Sequence, residues 1–354
     1  MNMVNMKHLT TYLLCVMSFL ANFECVNAED DFTTGAILWE VIKEGTDERS
    51  YLLGTMHGTE GVDYAFVDTM PVFKELFDDV ATVGVESDLG DIAMIKWVLN
   101  KHKRFLPDNY PEYAMLPDSI EDFSEVFGNE MEYNYVNDFV SEVLKKDFMS
   151  GWTPFKYDKL LPNFTRNFLE CHESAITGED NSGETDNNSP IMDAGIMFKA
   201  KIEGKKLLFL ESAQYQCELS DMLDSCGVVN MDVKKQGHEL YNYCRMLKGD
   251  TIMDDSYGDK LDDAYVREDL KTLHKLFLKY SEKFMPGSDY VEYEELMNEA
   301  TVGRNRKWVT AMASEMNENP CLFAVGALHL PGENGLLELL QKEGYAVKPM
   351  RLRR

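Results

Sequence analysis

Two segments of the chain, "YLLGTMHG" at 51–58 and "FAVGALHL" at 323–330, each end an apolar run in a glycine and place a histidine three positions later. Two further apolar runs, "TVGVE" and "LLFLE", end in Glu86 and Glu211. His57, Glu86, Glu211 and His329 are groups that bind metals or move protons, and each stands just past a strand-like run. Where strands are parallel and joined by helical crossovers, their carboxyl ends share one edge, at which ligands bind. The four residues are therefore expected to converge. Two imidazoles and a carboxylate from separate strands would make an open metal site with room for a water or a substrate. Such a site supplies a water acidic enough to attack a carbonyl near neutral pH. Gly54 and Gly326 are expected to let the chain leave each strand through unusual dihedrals and to admit a neighbouring backbone. Either histidine alone reads as an ordinary structural residue; the repeated context points to a site. His102, His172, His238 and His274 lack that context and read as surface or packing residues.

The elements that must position these groups are legible in outline. "AILWEVIKEGTDERSYLLGT" has the pattern of a β-hairpin, "MPVFKELFDDV" that of a helix, and "ATVGVES" that of a buried strand. Residues from about Asn100 to Thr177 read as helical and acidic, cut by Pro107, Pro111, Pro117, Pro154 and Pro162; this is an inserted helical lid expected to shape a substrate groove. "GEDNSGETDNNSP" at 178–190 has the composition of a mobile acidic loop. A helix ending at Gly204, a buried strand "KKLLFLES" and a helix from about Ala213 follow, and 232–318 is mainly helical. The close is strand, helix with a Gly344 stop, and strand. The expected fold is α/β: a central mixed sheet with helical crossovers, the inserted lid, and a metal or active site at the strand carboxyl ends, in one domain spanning 29–354.

The whole chain narrows the function classes. Its 354 residues are 44% hydrophobic and 27% charged, enough apolar material for a large core. With 35 basic against 62 acidic side chains the net charge is −27, and no basic stripe interrupts it, which argues against nucleic acid as a partner. Residues 1–28 read as a secretory signal, with Lys7 in a polar start, an apolar centre from about Leu9 to Phe23 and a Val26-Asn27-Ala28 cleavage site; an uncleaved anchor is the alternative. The expected location is secreted or extracytoplasmic, with no stable membrane anchor after cleavage. Beyond the signal lie Cys171, Cys217, Cys226, Cys244 and Cys321, an odd set that permits two disulfides and one spare thiol, with Cys321 the candidate for the unpaired one. Asn163 and Asn187 fit the N-glycosylation pattern.

The segment "RNRKWVTAMASEMNENPCLFAVGALHLPGENGLLELLQKEGYAVKPM" resembles the TraB/GumN family, which includes the Tiki metalloproteases: an Arg-Asn helix, then a Gly-x-x-His-Leu-x-Gly-x-x-Gly block and a closing Gly-Tyr. "YLLGTMHG" resembles the family's opening Gly-Thr-x-His, "GVESDL" its acidic strand end, and "GKKLLFLESAQYQ" its Leu-Glu-Thr-x-x-x-Gln segment, here Leu210-Glu211-Ser212. The resemblance runs from about Trp39 to Met350. It implies that His57, Glu86 and His329 are the essential set, and it suggests catalytic or substrate-binding roles for Glu211, Gln216, Arg304 and Asn305. Arg304 is read either as a holder of a substrate carboxylate or developing oxyanion, or as a salt-bridge partner of a glutamate. The Tiki branch implies metal-dependent cleavage of peptides, with manganese or cobalt, and zinc as a further candidate.

The resulting expectation is an exported metal-dependent hydrolase of peptide or protein substrates. His57, Glu86 and His329 surround one divalent metal, and Glu211 is a fourth ligand or the general base. Two alternatives stand beside it. One is a metal-independent, esterase-like hydrolase with His57 as general base oriented by Glu86. The other is a non-catalytic protein that holds haem or another ligand in the same pocket.

Overall fold

The computed structural model describes residues 35–56, 62–152, 154–177, 192–229, 232–250, 256–284, 295–296 and 298–352. The signal segment, the acidic loop at 178–190 with Asn187, and His57 lie outside the described residues, as do the side chains of His102 and Cys226. Six strands form one mixed, open sheet: β1 (Leu38–Lys43), β2 (Arg49–Thr55), β3 (Thr82–Val85), β4 (Lys206–Phe209), β5 (Cys321–Gly326) and β6 (Tyr345–Met350), in the order β4-β3-β5-β2-β1-β6. The described helices that matter for the site or the packing are α1 (Pro71–Asp79), α2 (Ile92–Lys101), α3 (Glu130–Val143), α4 (Pro162–Glu170), α5 (Met192–Ile202), α6 (Ala213–Val229), α7 (Val233–Leu247), α8 (Arg304–Met316) and α9 (Leu336–Lys342). The protein is α/β.

The chain divides into two compact units. One comprises Met1–Met94, Asn187–Ser220 and Ser256–Arg354; the other comprises Ile95–Asp186 and Asp221–Asp255. Each has its own apolar cluster.

The first unit contains the sheet. β1 pairs antiparallel with β2 and β6, as the expected hairpin requires, while β2, β5, β3 and β4 run parallel. The apolar β5 run is buried at all six positions because neighbours flank it on both sides. Such near-continuous burial is what a central parallel strand with covered faces needs. In α1, Val72, Phe73, Leu76 and Phe77 recur at helical spacing and are all buried. Each such side chain contributes roughly 1.5–3 kcal/mol on leaving water. α5 packs against β3, β4 and β5, while α8 packs against β5 and α9. β4 departs from expectation: it is the sheet's edge strand, with Lys206 and Phe209 exposed, rather than a buried strand. Its apolar run reflects one covered neighbour, β3, and not two.

The second unit is helical. α3, α4 and α7 pack together around Phe105, Phe164, Phe168, Val140 and Leu240. Pro107 and Pro162 open helical segments at their first positions, where a missing N–H costs nothing. The prolines thus start elements as well as separate them.

Candidate active site

Register decides which residues meet. Val85 stands beside both Ala324 of β5 and Phe209 of β4, and Thr55 stands beside Gly326. The parallel strands therefore end along one edge, and Glu86, Glu211 and the short turn Ala327–His329 follow directly from three of them. Gly54 allows this turn to come close. A Cβ built on it would lie 2.9 Å from Ala327 Cα and 3.2 Å from Leu330 Cδ2. The expected unusual dihedrals are absent: Gly54 is not among the positive-φ glycines, and Gly326 has φ −49°. Space, not backbone freedom, is what Gly54 provides. Gly326 contributes its N–H, which donates to Glu86 Oε1 at 2.8 Å.

The remaining parts arrive on α8. A π-helical turn, Glu299–Gly303, leads into it, and Arg304, Asn305 and Trp308 follow on its buried side. Arg304 is 1% exposed, Asn305 0% and His329 3%. The Arg304 guanidinium donates from Nη2 to Glu86 Oε2 at 2.6 Å and to Glu211 Oε1 at 2.7 Å, and from Nε to Glu211 Oε2 at 3.0 Å. The two bonds to Glu211 make a fork, the strong bidentate form of a carboxylate pair. Nη1 reaches the Ala300 carbonyl at 3.4 Å and lies 3.3 Å from His329 Nε2. Trp308 supports both partners. Its Nε1 donates to Glu211 Oε2 at 3.2 Å, its ring lies 4.4 Å beneath the guanidinium carbon, and its centroid is 4.6 Å from that of His329. Gln216, buried on α6, donates from Nε2 to Glu86 Oε2 at 3.2 Å and accepts from the Ser87 hydroxyl.

Asn305 fixes the imidazole. Its Nδ2 donates to the carbonyls of His329 and Asn334, at 3.3 and 2.9 Å, so its Oδ1 can only accept. That oxygen is 2.7 Å from His329 Nδ1, which must then carry the ring proton. Nε2 keeps its lone pair and faces Arg304. The amide of Asn305 is thus spent inside the protein.

The charge states follow from burial and from Arg304. Burial alone would raise the Glu86 carboxyl, but the Arg304 charge and the Gly326 N–H outweigh it and hold the group at about 2. Burial, and next the Arg304 charge, push His329 down to about 3, against the opposing pull of Glu86. The imidazole is neutral. Burial moves Glu211 upward despite the fork from Arg304. Burial works against the charged form of Arg304 as well, but Glu86 and Glu211 more than offset it and raise its pKa.

The structure thus gathers Glu86, Glu211, Gln216, Arg304, Asn305 and His329 into one network, with His57 outside the described residues. The buried Trp308 and Ser87 were not among the sequence candidates. Trp308 was accessible in principle, because it stands one helical turn after Arg304. Elsewhere, His172 Nδ1 is 2.8 Å from the Phe168 carbonyl and His238 Nδ1 is 3.2 Å from Glu132 Oε1. Neither belongs to the network. Among the described residues Cys171, Cys244 and Cys321 are free thiols, so the two disulfides that the cysteine count permits cannot both form.

A model of the TraB/PrgY/gumN family matches residues 37–349, nearly the whole chain. The chain belongs to the TraB/PrgY/gumN family. No curated protein and no solved structure matches it. Within this TraB/PrgY/gumN chain, the two family segments that carry His329 and Arg304-Asn305 are bound to each other by the network above.

The metal expected at this edge can be tested against the donors. Glu86 is ionised and His329 is neutral, the forms that metal ligation requires. Among the described residues, however, no three His, Cys, Asp or Glu side chains are disposed to hold a metal ion. The chemistry of Glu86 and His329 fits, and a positive charge already stands between them: that of Arg304.

Proposed function

We propose that this TraB/PrgY/gumN chain is an exported metal-dependent hydrolase, most simply a peptidase, in which His57, Glu86 and His329 hold one divalent cation. Manganese and cobalt are the leading candidates for the ion, with zinc a third. The observation that carries the reading is the His329 ring: buried, neutral and locked by Asn305 so that its lone-pair nitrogen faces the Arg304 guanidinium, the same group that holds the ionised Glu86. A purely structural histidine has no need of a fixed tautomer that turns a lone pair to the same cation that engages a carboxylate. A bound divalent ion supplies an acidified water and polarises a carbonyl oxygen. The protein's own residues set the stage for that chemistry. Gln216 and the Gly326 N–H hold the Glu86 carboxylate in place, and Asn305 holds His329. Such supporting contacts tune ligand orientation and basicity.

Glu211 has both oxygens engaged, by Arg304 and Trp308. Its contacts support a role in positioning Arg304 more directly than one as a general base. Asn305 likewise is read as a positioning residue for His329.

The test is metal analysis of the mature protein beside His57→Ala and His329→Ala, followed by digestion of a peptide library after chelation and re-addition of Mn²⁺ or Co²⁺. Stoichiometric ion in the wild type, lost in both variants, and cleavage restored by re-addition are expected. Full occupancy in either variant removes that histidine from the site, and cleavage indifferent to chelation selects the metal-free alternative.

A further inference from the structure

Two of the lone pairs that a cation at the sheet edge would use, one on Glu86 and one on His329, are turned toward one guanidinium. Glu86 Oε2 accepts from Arg304 Nη2 at 2.6 Å, and Nε2 of His329 lies 3.3 Å from Arg304 Nη1. The same group is held from behind by the Glu211 fork and lies against the Trp308 ring. An ion bound to both Glu86 and His329 would stand beside or within the volume of this guanidinium. Two positive centres in contact at a buried position repel strongly, because little water screens them. We propose that Arg304 and the divalent cation are alternative occupants of a single seat: the arrangement seen here excludes the ion, and Arg304 must release Glu86 and His329 before they can hold one. This inference rests on the metal-dependent reading above.

The contacts make the exchange a local one. Those given up are Nη2 to Glu86 and Nη1 to His329 and to the Ala300 carbonyl; a swing about the Nε bond to Glu211 keeps the charge of Arg304 paired throughout. Glu86 meanwhile retains its bonds from Gln216 and Gly326 and remains preorganised. Once off Glu86, the guanidinium edge is free to donate to an anionic group, such as a substrate carboxylate or a developing oxyanion. One residue then guards the seat when it is empty of metal and serves the substrate when it is filled.

The experiment titrates Co²⁺ into the full chain, wild type and Arg304→Ala, by calorimetry and by cobalt's visible absorption, after circular dichroism has shown both folded. If Arg304 occupies the seat nine-tenths of the time, its removal should tighten Co²⁺ binding by about tenfold, the inverse of the competent fraction. Methylguanidinium should weaken Co²⁺ binding in Arg304→Ala and leave the wild type unchanged. Equal Co²⁺ affinity in the two proteins, insensitive to methylguanidinium, overturns the exchange and leaves the metal-dependent reading standing. Absence of Co²⁺ binding in both removes that reading and the exchange with it. Should Arg304→Ala not fold, the wild type decides: Zn²⁺ binding should change the emission of Trp308 as the guanidinium leaves its ring, a change missing in Trp308→Phe. Zn²⁺ binding with identical emission responses in the two proteins counts against the proposal.

Discussion

Nδ1 of His329 lies 2.7 Å from Oδ1 of Asn305, and the amide of Asn305 is anchored to two backbone carbonyls, so one side chain dictates which imidazole nitrogen is protonated. The two residues are 24 positions apart, on a helix and on the turn after β5. The contact therefore ties α8 to the edge of the sheet at the place where the chemistry is expected.

Asn305→Ala frees the His329 ring and orphans the Asn334 and His329 carbonyls. Activity against a peptide library is expected to fall by about 10–100-fold, the usual cost of losing a partner that orients a ligand. Stability should drop by roughly 1–3 kcal/mol from the unpaired buried groups. Asn305→Asp keeps the acceptor but loses the Nδ2 donor, so it should retain the Nδ1-protonated tautomer while losing stability. Nitrogen NMR of the His329 ring, with denaturant unfolding, checks both. An unchanged tautomer in Asn305→Ala would show that Asn305 does not set it.

Acid should destabilise the fold in two overlapping windows. His329 is depressed from 6.5 to about 3, so the unfolded chain binds more protons between those values, and the stability it contributes is lost as pH falls from 6.5 toward 3. Glu86, depressed from 4.5 to about 2, loses its contribution as pH falls from 4.5 toward 2. Glu211 is raised and acts in the opposite sense, above its unfolded value. Urea unfolding between pH 6.5 and 4.5 should therefore show a slope of up to about 1.4 kcal/mol per pH unit from His329, and a flatter one in His329→Gln. Parallel pH profiles would contradict a buried neutral His329.

The two motif glycines should differ in what they tolerate. A Cβ on Gly54 meets the Ala327 backbone at 2.9 Å, whereas one on Gly326 meets nothing nearer than Glu86 Oε1 at 3.4 Å. Gly54→Ala is expected to cost roughly 1–3 kcal/mol through overpacking and to lower activity by displacing the Ala327–His329 turn. Gly326→Ala should cost less than half as much. Thermal unfolding of the pair checks the order, and equal losses would mean that the close approach at Gly54 is relieved elsewhere.

Cys171, Cys244 and Cys321 should behave as unreactive thiols. Burial pushes Cys171 up to about 11 and Cys321 up to about 12, and it raises Cys244 as well. A thiol reagent applied near neutral pH should label Cys171, Cys244 and Cys321 slowly in the folded protein and fully after unfolding without any reductant. Peptide mapping that found two of them joined before reduction would contradict the structure.

The amino-acid sequence by itself determined the parallel core of the sheet, the order of its main elements and the placing of Glu86, Glu211 and His329 just past three strands. It could do so because apolar runs report burial locally, and parallel strands bring their ends to one edge whatever lies between them. The family motif added Asn305 and Gln216 as names without partners, and Arg304 with a glutamate as one of its two candidate partners. Tertiary structure alone decided that Arg304 sits between two carboxylates and an imidazole, that Trp308 supports it, and that Asn305 serves His329. It also put β4 at the edge and left Cys171, Cys244 and Cys321 as free thiols. Those outcomes depend on strand order and on how α8 lies against β5, which side-chain periodicity does not encode; a hydrogen bond between groups 24 or 218 positions apart exists only once the topology has brought them together.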